Sequence, residues 1–294
     1  MKWEDRRQSD NVEDKRNSSP IGGGTPSMGT IMMIWPLIRP LLRTKFGWVL
    51  IFLGVLAYIN GFNPLSILGI SEQGSTQIVD QAKDDRQAAF ISTVLADIEE
   101  VWKETLPKYG IRYKEPKVVL YRNATQSGCG FASAQMGPFY CPADQKVYLD
   151  LGFFDELAKR HGAPGDFAQA YVLAHEVGHH IQNLQGTLDK VQQAKQQWGS
   201  NSVKANALQV KVELQADCYA GAWAHHAQKR FDILEPGDVE EALKAASAIG
   251  DDTLQKKAQG YVVPDAFTHG SSQQRVEWFR RGFQNGDLRE CNTF

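Results

Sequence analysis

Hydrophobic and polar positions divide the chain into three regimes. The opening residues mix acidic and basic groups and run into the Ser-, Gly- and Pro-rich stretch Asn17–Ser27. So little apolar surface does not offset the entropy of ordering, and a flexible tail is expected over residues 1–45. Between Lys45 and Glu72 there is no charge, and residues 46–70 are apolar apart from a break at Asn60–Pro64. That run predicts a transmembrane signal anchor. Arg39, Arg43 and Lys45 ahead of it, against Glu72, Asp80, Asp84 and Asp85 behind it, place the N-terminus in the cytoplasm. Ile31–Trp35 reads as an interfacial segment.

From residue 71 onward the periodicity is that of one α+β domain. Ile78, Ala82, Ala89, Val94, Ile98 and Trp102 predict a helix over Gln77–Leu106. Lys117–Tyr121 and Lys146–Leu149 read as strands, with a loop-rich, glycine-containing stretch between them. Helices follow over 151–161, 164–185, 201–230, 236–249 and 272–284, with Pro236 at a start and Gly186 and Gly250 at ends. The expected fold is therefore α+β, a mainly helical domain with a small sheet over 71–294, preceded by one transmembrane helix.

Charge narrows the function classes. Thirty-two Lys and Arg against 34 Asp and Glu leave a net charge of −2, which offers no basic footprint for nucleic acid. Four cysteines are too few for a disulfide scaffold, yet they suit two bridges outside the cytosol.

The sharpest chemical signal is His175-Glu-Val-Gly-His179. Residues i and i+4 of a helix leave from one face, so both imidazoles can chelate one zinc ion. Glu176 is then positioned to take a proton from the attacking water. With 7 His in 294 residues, an accidental match has a probability of about one in a hundred. Gln182 and Gln185 stand where a metzincin would carry its next glycine and its third histidine, so that class is excluded. Asp189 is one candidate third ligand. Glu213 is the better one, because Asp217 shares its helix face and can hydrogen-bond a ligating histidine, fixing the tautomer of His175. Ala216, Tyr219, Ala220, Ala222 and Trp223 mark that helix as buried, where two carboxylates need partners.

His175–Gln182 followed by Val212–Gly221 resembles a bacterial family described as putative neutral zinc metallopeptidases. Lys2–Arg16 resembles that family's N-terminal signature and Thr268–Arg275 its C-terminal one; Lys15 and Asn17 depart from the pattern, in the tail only. The resemblance covers the whole chain. It implies a single membrane anchor and a gluzincin-like catalytic domain, and it supplies no substrate. A more distant likeness to membrane peptidases of the Ste24 type lies in the Glu-x-x-x-Asp helix and the Thr268–His269 segment. The resemblance places His269 in a motif, where it either stabilises the oxyanion or caps a helix.

His180 should point away from the metal, and His225 and His226 should face solvent or a membrane surface. If the domain lies outside the cytosol, Cys129–Cys141 and Cys218–Cys291 are the natural pairs; buried free thiols are the alternative. The reading is a single-pass inner-membrane protein with an extracytoplasmic, Zn2+-dependent peptidase domain acting on envelope proteins or peptides. Its bilayer contact is the anchor, and Gly128–Cys141 offers a strand edge to an extended substrate. The alternatives are a catalytically silent, zinc-stabilised scaffold and a zinc hydrolase of non-peptide bonds.

Overall fold

The computed structural model describes residues 1–18 and 80–294. Residues 1–18 and 81–294 form one compact unit. Its sheet has four strands in the order β1 (Val12–Asp14), β2 (Lys117–Tyr121), β6 (Lys146–Asp150) and β5 (Phe139–Cys141). β1 and β6 run parallel to β2, and β5 runs antiparallel to β6. Val118–Tyr121 and Val147–Asp150 are buried without interruption. Unbroken burial is what a central strand covered on both faces requires, and it explains their continuous apolar runs. A separate hairpin joins β3 (Ala124–Ser127) to β4 (Gly130–Ser133).

Helices supply the rest of the core. They are α1 (Gln81–Thr105), α2 (Leu151–His161), α3 (Asp166–Leu184) and α4 (Thr187–Trp198). They continue with α5 (Val203–Phe231), α6 (Asp238–Ala248), α7 (Asp251–Gln259) and α8 (Ser272–Asn285). α3 lies centrally, packed on α5, α6 and α1, while α5 packs along α8. The α5–α8 contact depends on two glycines. A Cβ on Gly221 would fall 2.0 Å from the Phe279 carbonyl oxygen, and one on Gly282 2.0 Å from that of Cys218.

Residues 1–18, expected to belong to a flexible tail, are instead built into the fold. Val12, Glu13 and Asp14 pair with Val118, Val119 and Leu120. Trp3 packs edge-on against Phe90 at 5.4 Å. Arg6 reaches Asp97 at 2.6 Å, Ser9 donates to Glu99, and Arg16 reaches Asp84 at 3.1 Å. Composition weighs apolar burial alone; here the charges are ordered by buried carboxylates that need them.

The transmembrane part of the expected fold class is also corrected. Among the described residues no helix is long and apolar enough to cross a membrane. Residues 46–70 and Ile31–Trp35 lie outside the described residues.

Candidate metal centre

α3 and α5 bring the chemistry together because they approach closely at a glycine inside the histidine motif. A Cβ on Gly178 would lie 3.1 Å from the Ala216 backbone, so a larger residue there would push the Glu213 helix away. His175 Nε2 and His179 Nε2 lie 3.3 Å and 3.5 Å from Glu213 Oε2. The three donor atoms all fall within 4.8 Å of one another. Ligands placed tetrahedrally at about 2.0–2.1 Å from zinc stand roughly 3.3 Å apart, so this donor set fits one ion.

Each ligand is aimed by a second contact. His175 Nδ1–H donates to Asp217 Oδ1 at 2.9 Å, which leaves Nε2 for the cluster. The same oxygen accepts from Tyr171 Oη at 2.5 Å and Arg275 Nη2 at 2.9 Å, and Asp217 Oδ2 accepts from Arg275 Nε at 2.9 Å. His179 Nδ1–H donates to Gln182 Oε1 at 2.9 Å, whose amide nitrogen is fixed by Val212 O and Gln215 Oε1. Glu213 Oε1 accepts from Gln209 Nε2 at 2.9 Å. Fixing a ligand's far side sets its tautomer and orientation.

Burial would raise the Asp217 carboxyl, but Arg275 and His175 beside it hold its pKa at about 2. The network is therefore anchored on a permanent anion with its own guanidinium, both fully buried.

Glu176 is buried at the wall of a cleft of about 580 Å³ that also holds the three candidate ligands, His269 and Arg275. The His269 side chain is half exposed, and its Nδ1–H donates to Asp251 Oδ1 at 3.2 Å. Asp251 Oδ2 accepts the backbone N–H groups of Thr268, His269 and Gly270 at 2.7, 2.6 and 3.0 Å. The hydrogen bond to Asp251 raises the His269 pKa above its ordinary value.

Asp189 sits exposed in the first turn of α4, outside the donor group. His180 points away, between Tyr140 Oη and the Lys114 carbonyl. His225 and His226 are half-buried and not free at a surface. They donate to the carbonyls of Phe283 and Gly286, tying α5 to α8. Cys129 is bonded to Cys141 and Cys218 to Cys291, the latter fastening the C-terminal turn to α5. Sequence reasoning missed Tyr171, Gln182, Gln209 and Arg275 as supports. Gln182 has a legible signal, three residues beyond His179 on the same helix face; Arg275 has only the demand of a buried Asp217 for a cation.

A family model described as "putative neutral zinc metallopeptidase" matches residues 1–294. The chain belongs to this family. "Uncharacterized protein YpfJ" of Escherichia coli (strain K12) is 48% identical over 300 residues, covering 100% of this chain and 99% of the relative. "Uncharacterized protein Rv2575" of Mycobacterium tuberculosis (strain ATCC 25618 / H37Rv) is 44% identical over 207 residues, 67% of each chain. No solved structure matches the chain. The zinc metallopeptidase family's description implies zinc, and the donors of His175, His179 and Glu213 suit that ion.

Proposed function

We propose that the protein hydrolyses peptide bonds with zinc held by His175, His179 and Glu213. The carrying observation is the convergence of these three donors in the cleft that Glu176 lines. Bound zinc supplies Lewis-acid polarisation of the scissile carbonyl and lowers the pKa of water. The Glu176 carboxylate takes the proton of the attacking water and returns it to the leaving amine. Asp217, itself held by Arg275 and Tyr171, keeps the His175 proton on Nδ1. His269, oriented by Asp251, presents Nε2 to the cleft as a donor for the developing oxyanion. β5, at the sheet edge and lining the cleft, is suited to pair with an extended substrate.

Glu176→Gln should retain zinc and fold while losing peptide hydrolysis by roughly 10²–10⁴-fold, whereas Glu213→Ala should lose the zinc itself. Metal analysis and peptide assays on both variants read this out. A fully active Glu176→Gln protein would overturn the mechanism.

We further propose that this unit works in an oxidising compartment outside the cytosol, residues 1–18 included. Two disulfides support the compartment, and the β1–β2 pairing supports the shared side. A lysine reagent that does not cross membranes should modify the exposed Lys2 and Lys117 together in spheroplasts. Modification of one without the other would reverse this reading.

A further inference from the structure

If the cleft is that of a metallopeptidase, on which this inference rests, its walls carry information about the substrate that the catalytic groups do not. Apolar side chains form about half of the cleft wall. Met136, Pro138 and Phe139 come from the turn and strand before Cys141, Phe153 from α2, Leu188 from α4 and Leu254 from α7. Met136 is 57% exposed, an unbranched side chain free to repack against an apolar visitor.

The charges on the described lining are few and already answered. Apart from Glu176 and the three candidate ligands, they are Glu156, His269 and Arg275. Arg275 is 2% exposed and spends two nitrogens on Asp217. His269 is paired with Asp251. The Glu156 carboxylate is exposed and shares its charge with Arg160 at 3.5 Å. Outside the catalytic Glu176 and the candidate ligands, a peptide's terminal carboxylate would therefore meet no uncommitted cation, and a terminal ammonium no desolvated, unpaired carboxylate. Bringing either terminus to the scissile position would strip it of water without a partner. An internal bond flanked by apolar side chains carries no such cost and gains the burial of those side chains.

We infer that the site is an endopeptidase for extended, apolar segments, recognising side chains beside the scissile bond and neither terminus of the peptide. Chain ends are spectators. Long charged side chains next to the cleaved bond are disfavoured because the described lining offers them no free counter-charge.

The test uses the zinc-loaded full chain and a panel of decapeptides. The two central positions are Leu/Phe, Lys or Glu, and each peptide is made with free ends and with acetylated and amidated ends. Cleavage sites and kcat/KM are read by mass spectrometry. Apolar centres should be cut internally, with kcat/KM higher than for charged centres by roughly 10–100-fold, the worth of one buried apolar side chain. Blocking the ends should change the rate less than about twofold, the effect of solvent-exposed charges. Stepwise release of terminal residues, or loss of cleavage on blocking, would overturn the endopeptidase inference and leave the peptidase reading standing. A preference for charged centres would overturn the apolar assignment in the same way. Uniform inertness of all peptides with zinc bound would sink the peptidase reading and this inference together. Met136→Glu alters an exposed wall residue that is neither a candidate ligand nor a support of one, so the protein should fold and bind zinc as before. It should cut the preference for Leu/Phe over Lys by roughly tenfold; an unchanged preference would refute the role given to that wall.

Discussion

Two buried aspartates, Asp217 at the metal centre and Asp97 beneath the N-terminal arm, each meet an arginine from a distant part of the chain, with opposite results. Asp217 is fully buried, and both its oxygens are used: Arg275 binds them through two nitrogens, with Tyr171 and His175 on one oxygen. Its pKa is held down at about 2 against the effect of burial. Asp97 is 4% exposed and takes one bond, from Arg6 Nη2 to Oδ1 at 2.6 Å. Its Oδ2 and the Arg6 Nη1 are buried without a hydrogen-bond partner. Burial then outweighs Arg6, and the Asp97 pKa rises to about 7. Proximity of a cation does not by itself keep a buried carboxylate ionised; the number of hydrogen bonds that reach its oxygens does.

The comparison is broken most severely by removing the better partner. Arg275→Met leaves Asp217 buried, charged and held only by neutral groups and His175. Loss of one member of such a pair costs about 3–5 kcal/mol. Zinc affinity should fall by roughly 10–100-fold, because Asp217, which fixes the His175 tautomer, loses the guanidinium that holds both its oxygens in place. Chemical denaturation and competitive zinc titration give the two numbers. Wild-type zinc affinity in a destabilised Arg275→Met protein would separate the network from the ligands and show that it serves only the fold.

The second effect is a pH dependence of opposite sign at the two aspartates. The folded pKa of Asp97, about 7, lies above the ordinary value of about 3.9. Its contribution to stability is therefore full below about pH 4 and is lost as pH rises through about 7. For Asp217 the contribution is present above about pH 4 and is lost as pH falls toward about 2. Asp97→Asn carries no proton to lose, so relative to wild type it should gain stability as pH rises from about 4 to about 7. The difference between the two proteins should change by up to about 1.4 kcal/mol per pH unit within that window. Denaturation curves that stay parallel at both pH values would mean that Asp97 remains ionised throughout.

These networks also explain which parts of the molecule are legible in the sequence. The helices carrying His175, His179, Glu213 and Asp217 show 3.6-residue periodicity, and their ligands are spaced by one turn, so local geometry and chemistry coincide. The expected β2, α2 and α8 end within a residue of the observed ones for the same local reason. α4 escapes the pattern because it is polar nearly all round and buries only Val191. β1 escapes it because it is three residues long and its partner lies over 100 residues away. The β3–β4 hairpin and β5 are hidden in a stretch whose glycines and prolines read as loop. The N-terminal charges read as solvated, since nothing near them in sequence announces the buried Asp84, Asp97 and Glu99 that they answer.

The smallest expected effect sharpens the same rule at a third carboxylate. Asp84 is 3% exposed and receives two guanidinium groups, Arg16 from the arm at 3.1 Å and Arg122 from the loop after β2. If the bonds reaching the oxygens are what matters, removing one of two cations should cost far less than removing Arg275 from Asp217. Arg16→Gln leaves Arg122 in place on Oδ1 and keeps an amide donor in reach of Oδ2. It also gives up pairs with Asp14 and Asp85, whose side chains are 46% and 57% exposed and therefore contribute little. The expected loss is about 1 kcal/mol, the net worth of one hydrogen bond, with zinc content unchanged. Arg16→Gln combined with Arg122→Gln should cost more than the sum of the two single changes, because only the double variant strands the carboxylate. Simple additivity in that cycle would show that each arginine acts through its own neighbours and not through Asp84.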